Sequence, residues 1–327
     1  MTRMVTFDEF GGPDVLHVVD APVPAPAAGE VRVRIEAFAV NPLDLMMRAG
    51  ASPAPVPLPG ARLGVEATGV VDALGAGVPG PEVGSPVIIT AIPDATVNGS
   101  YAEHVTVPAG RLIPRPSGLG VTEAAAIWVG FSTAYGALVE KAGMRPGDTV
   151  LVNAASGSVG RAAIQVADHL GAVPIALTRS GAAREELLGA GAAAVIVTDT
   201  DDVPAAVLDH TRGVGADIVL DLVTGPRQAE LLAAVRPGAT LVAAGFLDPR
   251  PAPMPFAPVT IHRYRGFEHT LDPAVVRRMA VFLASAVRLG SLRPAVGPVL
   301  TLDDVVEAHR RAESGSARGK VVVVVPT

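Results

Sequence analysis

The sequence contains no cysteine, which excludes disulfide bonds, thiolate metal ligands and cysteine nucleophiles together. Lysine is almost absent too, with only Lys141 and Lys320, and the net charge of −6 lacks the basic excess typical of nucleic-acid binding. No apolar run reaches the length of a transmembrane helix, and residues 1–10 lack the apolar core of a signal peptide. We therefore expect a cytoplasmic protein without nucleic-acid or membrane partners.

The chain is instead rich in residues that build a core. Its 327 residues are 49% hydrophobic and 18% charged, which argues against disorder and is enough for about two domains. Residues 1 to about 120 are β-rich, with a proline-rich surface loop at 51–59. From residue 122 strands and helices alternate, which predicts a doubly wound parallel sheet. Residues 271–327 add two helices and a last strand.

The predicted elements follow from hydrophobic periodicity. Strands are predicted at 31–40, 64–74, 84–90, 101–107, 149–152, 173–177, 194–197, 218–222, 240–244, 262–266 and 320–325. Helices are predicted at 123–127, 132–141, from 161 to about 170, and at 183–188, 203–211, 228–235, 273–289 and 302–312.

The most informative stretch is the buried strand 149–152, the small-residue turn after it, and the helix that begins near Arg161. Free backbone N–H groups and the helix dipole at such a turn attract an anion, and a dinucleotide pyrophosphate fits there. The motif reads A-x-G-x-x-G and departs from G-x-G-x-x-G at its first position. The alternative is an ordinary strand-to-helix turn. The predicted pyrophosphate contacts are Ala155, Ser156, Gly157, Ser158, Val159 and Gly160.

The residues after the next strand indicate which dinucleotide is bound. NAD-binding proteins place an acid there to hold the ribose 2′-OH. Here Thr178, Arg179 and Ser180 occupy the position, and the first acid is Glu185. A guanidinium cannot accept a hydrogen bond from a 2′-OH but pairs well with a 2′-phosphate. We therefore predict NADPH as the cofactor; the alternative is that Arg179 is a solvated surface arginine.

Several further motifs carry a family resemblance when they are taken in order. They are P-A-A-G-E-V-R-V-R-I-E-A-F-A-V-N-P-L-D from Pro26, G-V-E-A-T-G-V-V from Gly64, the cofactor turn, G-A-D-I-V-L-D from Gly215, R-P-G-A-T-L-V from Arg236 and A-R-G-K-V-V-V from Ala317. Together they resemble the medium-chain dehydrogenase/reductase superfamily, in its zinc-independent quinone-oxidoreductase (zeta-crystallin-like) branch. The resemblance implies an α/β fold in which a Rossmann domain, 123–270, is inserted in a discontinuous GroES-like β domain, 1–122 and 271–327. It also implies a homodimer that pairs through residues 263–267.

The resemblance also bears on metal chemistry. The positions that hold zinc ligands in the zinc members are Asn41 and Val65 here. Valine has no donor atom and asparagine is a poor zinc ligand, so we expect no metal. Without a Lewis acid, hydrogen bonds must polarise the substrate carbonyl. Hydride is then better delivered to the β-carbon of an enone or quinone than to a simple ketone.

The resemblance assigns candidate site residues as well. Asn41 is the candidate hydrogen-bond donor to the substrate oxygen or the nicotinamide; its alternative role is a turn-former before Pro42. Thr133 is the candidate near the nicotinamide, with helix packing as the alternative. We expect Asp44 to be the N-cap of a short helix at 45–48. Arg48 is expected to be a solvated arginine, and the alternative is that it faces the cleft. The remaining predicted cofactor contacts are Val223, Gly245, Phe246 and Lys320.

The sequence therefore favours an NADPH-dependent reductase that transfers hydride to the conjugated C=C of an enone or a related apolar carbonyl compound. An NADPH:quinone oxidoreductase is the first alternative. A catalytically silent NADPH-binding structural or accessory protein is the alternative of a different class.

Overall fold

The computed structural model describes residues 1–52, 55–252, 258–315 and 317–326, so residues 53 and 54 of the predicted proline-rich loop lie outside the described residues. The chain forms two compact units. The first unit consists of Met1–Val129, Val276–Ala280 and Arg293–Thr327, and the second of Gly130–Val275 and Val281–Leu292. The domain boundaries at 122 and 270 stay a prediction.

Strands outnumber helices in the first unit, whereas strands and helices alternate in the second. The strands are β1 (Thr2–Thr6), β2 (His17–Ala21), β3 (Glu30–Ala39), β4 (Ala67–Leu74), β5 (Pro86–Ile89), β6 (His104–Pro108), β7 (Leu112–Pro114), β8 (Thr149–Val152), β9 (Val173–Thr178), β10 (Ala194–Val197), β11 (Ala216–Asp221), β12 (Val235–Ala243), β13 (Thr260–Arg263), β14 (Val296–Thr301) and β15 (Lys320–Val324). The α-helices are α1 (Pro42–Arg48), α2 (Ala95–Asn98), α3 (Val121–Tyr135), α4 (Ser158–His169), α5 (Arg184–Gly189), α6 (Val203–His210), α7 (Gln228–Ala233), α8 (Phe267–Thr270), α9 (Pro273–Arg288) and α10 (Val305–Glu313).

The second unit is built on a parallel sheet with the strand order β10-β9-β8-β11-β12-β13. The chain starts this sheet in the middle, at β8, builds outward to β10, and returns to place β11 on the other side of β8. The apolar side chains of β8 are fully buried, as continuous apolar strands of parallel sheets are. Since ligands bind where the strand order reverses, the carboxyl ends of β8 and β11 mark the expected site.

The first unit is built on a mostly antiparallel sheet with the order β14-β15-β3-β4-β5-β7, in which β6 also pairs with β3. Along β3, Val31, Val33 and Ile35 are buried while the residues between them are partly exposed, the alternation of a strand with one buried face. β15 pairs with β3 and brings the end of the chain into the sheet begun at its start. The predicted fold class, a doubly wound parallel sheet together with a discontinuous β domain, is confirmed.

One helix differs from its prediction. The two helices predicted at 123–127 and 132–141 are a single α-helix, α3, that continues as a π-helix over Gly136–Lys141. Gly130, a weak helix former, lies at the predicted break. A Cβ at this position would lie 2.9 Å from Ser158 Oγ, so the glycine allows close packing against the start of α4. Tertiary packing therefore outweighs local propensity here.

Candidate cofactor and active site

The turn after β8 is tightly packed. Ala155 is buried, and its N–H donates to the carbonyl of Leu177 at the end of β9, 3.0 Å away. Ala154 adopts a positive φ of 45°. A Cβ at Gly160 would lie 2.6 Å from both Ala154 O and Ala155 Cα, so only glycine lets the first turn of α4 approach this bend.

The amino terminus of α4 offers unpaired donors. Gly157 is the N-cap of this helix, and no side chain caps it. The first N–H groups of any α-helix lack partners within the helix and carry its positive dipole end. Ser156 and Gly157 are exposed, while Ser158 and Val159 are partly exposed. This arrangement can bind a phosphate group.

Arg161 is a part of this turn that the sequence reasoning missed. Its side chain is buried, its Nε donates to Ser156 O at 2.8 Å, and it forms an ion pair with Glu186 of α5. The guanidinium therefore holds the outer bend of the turn against the next helix. The available signal was an arginine inside an otherwise small and apolar segment.

The residues after β9 differ in exposure. Thr178 is the last residue of the strand and is buried, whereas Arg179 and Ser180 are exposed. Among the described residues, the Arg179 guanidinium has no hydrogen bond or ion pair. The guanidinium of Arg184 instead donates to Val195 O at 2.9 Å. Arg179 is thus the arginine of this segment that is available to an anionic ligand.

The carboxyl end of β11 is organised by a buried carboxylate. Asp221 is 0% exposed, and its Oδ1 accepts from Asn153 Nδ2 at 2.6 Å, Val223 N at 3.0 Å and Thr224 N at 2.8 Å. Its Oδ2 accepts from Gln228 Nε2 at 2.9 Å. Sequence analysis proposed Val223 but missed the polar side chains that hold its loop: Asn153 lies 68 positions from Asp221 in the sequence, although Gln228 lies only seven from it.

The end of β12 lies beside this loop. A Cβ at Gly245 would lie 1.8 Å from Leu222 O, so the backbone approach here requires glycine. Phe246 is 45% exposed, and the guanidinium carbon of Arg263 lies 5.3 Å from its ring centroid. The structure therefore brings Val223 and Gly245 to neighbouring strand ends, with an exposed aromatic ring next along the chain.

Thr133 lies on α3, in the part that belongs to the second unit. It is partly exposed, and a Cβ at Gly266 would lie 3.8 Å from its Oγ1. No partner is found for its hydroxyl among the described ranges. This hydroxyl can donate a hydrogen bond to a ligand without breaking an existing one.

In the first unit, Asn41 and Lys320 both contact the side chain of Glu66. Asn41 is the N-cap of α1, and its Nδ2 donates to Ala39 O and to Glu66 Oε1, each at 3.1 Å. Lys320 forms an ion pair with the same Glu66, whose Oε2 accepts from Val129 N at 2.7 Å. Both amide hydrogens of Asn41 are therefore donated within the protein. Sequence reasoning missed Glu66, although it lies in the motif G-V-E.

The expectation that Asp44 is the N-cap of this helix was wrong. The helix begins at Pro42, a residue favoured at the first helical position, so Asn41 takes the N-cap position. The Asp44 carboxyl group accepts from the backbone N–H groups of Asn41 and Gly64 at 2.8 and 3.0 Å and from the Tyr101 hydroxyl at 3.2 Å. Burial, only partly offset by these hydrogen bonds, raises the pKa of Asp44 to about 6.

The expectation of a solvated Arg48 was also wrong. Its side chain is 2% exposed and donates to Gly11 O at 3.0 Å and to His309 Nδ1 at 2.9 Å, and it forms an ion pair with Glu313. Burial and the neighbouring guanidinium charge lower the pKa of His309 to about 3. Arg48 therefore joins α1 to α10 as a structural residue.

Two absences can be stated for the residues that the structure describes. They contain no group of three or more His, Cys, Asp or Glu side chains that could hold a metal ion. None of their helices combines the length and the hydropathy needed to cross a bilayer.

Comparisons with known proteins agree with this architecture. Residues 27–117 match the family model of the alcohol dehydrogenase GroES-like domain, and residues 190–323 match that of zinc-binding dehydrogenases. The quinone oxidoreductase of Lama guanicoe is 28% identical over 99% of this chain and 98% of its own. A structure of an NAD-dependent alcohol dehydrogenase is 34% identical, with a TM-score of 0.88 over 99% of this chain and 100% of its own. A mycobacterial protein solved in complex with NADPH is 30% identical, with a TM-score of 0.89 over 98% and 99%.

The fold and the matches define an oxidoreductase with a Rossmann sheet and a GroES-like β domain. The chain belongs to the medium-chain dehydrogenase/reductase superfamily, in its zinc-independent quinone-oxidoreductase branch.

Proposed function

We propose that this protein is an NADPH-dependent reductase of conjugated carbonyl compounds. The observation that carries the proposal is an exposed Arg179 without a described partner, just past β9, together with the small-residue turn between β8 and α4. A guanidinium at this position suits a 2′-phosphate and cannot accept from a 2′-OH. The related mycobacterial structure in complex with NADPH supports the same cofactor.

The residues present fit a dinucleotide. A Cβ at Gly160 or Gly245 would collide with backbone atoms, and Gly157 leaves the helix end uncovered, so backbone N–H groups remain accessible. When bound, NADPH supplies a hydride to an electrophilic carbon. In this proposal, residues 155–160 hold the pyrophosphate and residues 178–180 the adenosine phosphate. Val223, Gly245 and Phe246 line the nicotinamide.

The substrate class follows from the donor groups. Val65 has no ligand atom and the Glu66 carboxylate is already paired with Lys320, so we expect hydrogen bonds rather than a metal ion to polarise the substrate carbonyl. Such donors suit an acceptor in which the developing charge spreads over a conjugated system. We therefore propose the C=C bond of an enone as the reduced group.

Thr133 of the second unit and Asn41 of the first are the proposed hydrogen-bond donors to the substrate. The Thr133 hydroxyl is partly exposed and has no hydrogen bond among the described residues, so it can donate directly. Asn41 must release Ala39 O or Glu66 to do so. We expect Thr133→Val to lower kcat by about tenfold or more, and Asn41→Ala to lower it less, with NADPH affinity nearly unchanged in both. Unchanged turnover in either variant would remove that residue from the site.

A quinone is the second candidate substrate, favoured by the related quinone oxidoreductase. The deciding experiment mixes the purified protein with NADPH and either a cyclic enone or a benzoquinone, and identifies the products by mass spectrometry. A saturated ketone supports enone reduction, and a hydroquinone without ketone formation supports the alternative. Parallel reactions with NADH test the cofactor. NADPH binding without any turnover would favour a non-catalytic role instead.

We also propose that two copies associate through the edge strand at the end of the parallel sheet. The predicted pairing segment was 263–267, but the strand is β13, Thr260–Arg263, so only Arg263 of that segment lies on it. This strand lies at the edge of its sheet, and Ile261 on it is 40% exposed. Light scattering coupled to gel filtration should show a dimer, and Ile261→Lys should shift it toward monomer. A wild-type monomer at micromolar concentration would contradict the proposal.

A further inference from the structure

Asp221 lies between the two parts of the proposed cofactor site. Asn153, the residue directly after β8, donates from Nδ2 to Asp221 Oδ1, and its own Oδ1 accepts from Leu222 N at 2.6 Å. Asn153 and Asp221 are 68 positions apart in sequence. The side-chain amide of Asn153 thus joins the carboxyl end of β8, where the phosphate turn begins, to the carboxyl end of β11.

The backbone on both sides of this bridge is strained. Thr224 has a φ of 65°, which a β-branched residue rarely adopts, and Ala154 has a φ of 45°. Such conformations persist only where the surroundings hold them in place. The N–H of Thr224 donates to Asp221, and its hydroxyl donates to Val223 O at 2.6 Å. The Asp221 carboxylate is therefore one of the groups that hold the strained loop.

The carboxylate is satisfied by four neutral donors, and no salt bridge involves it in the described part of the chain. An asparagine of the same shape keeps one oxygen for the three donors that meet at Oδ1, but a neutral amide oxygen accepts hydrogen bonds more weakly than a carboxylate oxygen. Its NH₂ group would face the Gln228 side chain, which would have to turn its amide oxygen toward it. An asparagine variant should therefore weaken the bonds that join the ends of β8 and β11.

We propose that Asp221 is a positioning residue for NADPH. It fixes the position of the phosphate turn after β8 relative to the loop that lines the nicotinamide. The proposal rests on the proposed function. Through Asn153 the carboxylate holds the start of the turn, and through the N–H groups of Val223 and Thr224 it holds the loop. Gln228 of α7 anchors the other carboxylate oxygen.

The test compares two probes. NADPH occupies both parts of the proposed site, whereas 2′,5′-ADP lacks the nicotinamide half. Dissociation constants of both probes are measured by calorimetry for the wild type and Asp221→Asn. We expect the variant to lose at least about tenfold more affinity for NADPH than for 2′,5′-ADP. This loss corresponds to about 1.4 kcal/mol, in the range of one hydrogen bond to a charged group.

The matched control lies at the other end of β11. Asp217 accepts from Thr149 N of β8 at 2.7 Å and from Arg236 Nε of β12 at 2.6 Å, so it also joins β11 to both neighbouring strands. Asp217→Asn should leave the ratio of the two dissociation constants at its wild-type value. Asn153→Ala removes the donor to Asp221 and the acceptor of Leu222 N but keeps the carboxylate. It should change the ratio in the direction of Asp221→Asn even if the latter does not fold.

The outcomes separate the two proposals. A wild-type ratio in both Asn153→Ala and any folded Asp221→Asn, with NADPH bound by the wild type, would overturn the positioning role alone. An equal change in Asp217→Asn would show a general loss of packing and would overturn it as well. A wild type that binds neither probe would refute the proposed function itself.

Discussion

The ion pair between Glu66 and Lys320 can be removed one partner at a time. Glu66 is 0% exposed and Lys320 is 5% exposed, so neither charge is solvated in the folded protein. Among the described residues, Lys320→Met would leave the carboxylate with hydrogen bonds from Asn41 and from Val129 N only. Removing one partner of a buried pair typically costs about 3–5 kcal/mol, and we expect a loss of this size.

The double variant gives the sharper result. Glu66→Gln alone leaves a buried ammonium group without its partner, so we expect a similar loss. When both changes are combined, no charge is left unpaired. We expect the double variant to be more stable than the sum of the single losses predicts, by at least about 2 kcal/mol.

The protein carries its own probe for this measurement. Trp128, the only tryptophan, is 1% exposed, its indole N–H donates to Thr90 O, and it precedes Val129. Urea unfolding followed by tryptophan fluorescence therefore reports on the first unit rather than on an average of the two. Arg311→Met is the control, because Arg311 pairs with Glu307 on the exposed face of α10 in the same unit. Exposed pairs contribute little, so its unfolding midpoint should hardly move.

Two results would refute this reasoning. If each single variant lost no more stability than Arg311→Met, the pairing of Glu66 with Lys320 would not contribute to the stability of the fold. If the double variant lost the full sum of both, the residues would act independently, and Lys320 would not be the group that balances Glu66.

Three further predictions concern separate residues. Arg179→Glu should weaken NADPH binding at least about tenfold more than NADH binding, measured by calorimetry; equal losses would refute the 2′-phosphate assignment. Gly157→Val should abolish cofactor binding by covering the turn, and retained binding would show that the turn is not the phosphate site. Folding raises the pKa of Asp44 from 3.8 to about 6, so as pH increases the unfolded chain releases this proton before the folded protein does. The free energy of unfolding should therefore decrease by on the order of 3 kcal/mol between about pH 4 and pH 6. Asp44→Asn should lack that loss, so its stability relative to the wild type should increase over this range; a constant difference would contradict the shift.

The turn between β8 and α4 could be predicted from sequence because its determinants are local. β8 and β10 match their predicted bounds, and the small residues after β8 permit the positive φ and the close backbone approach of the turn. The position of the α1 N-cap was also readable locally. Pro42 favours the first helical position, and this makes Asn41 rather than Asp44 the capping residue.

The polar contacts could not be predicted because their partners are far away in sequence. Arg48 and His309 are 261 positions apart, and Asn41 and Glu66 are 25 apart. Arginine side chains are usually exposed, so the burial of Arg48 depends on its contacts with His309 and Glu313, which folding brings next to it. Periodicity shows which residues face a core but not which polar groups meet inside it.

The two buried carboxylates should respond differently to substitution. Glu66 balances the charge of Lys320, so its contribution depends mainly on the sum of charges and should be recovered when both are removed. Asp221 has no cationic partner among the described residues and is held by four neutral donors in a fixed geometry. No single second substitution restores that arrangement, because each donor belongs to a different residue and two are backbone groups. Compensation should therefore be possible for the Glu66 pair and impossible for Asp221, although both carboxylates are equally buried.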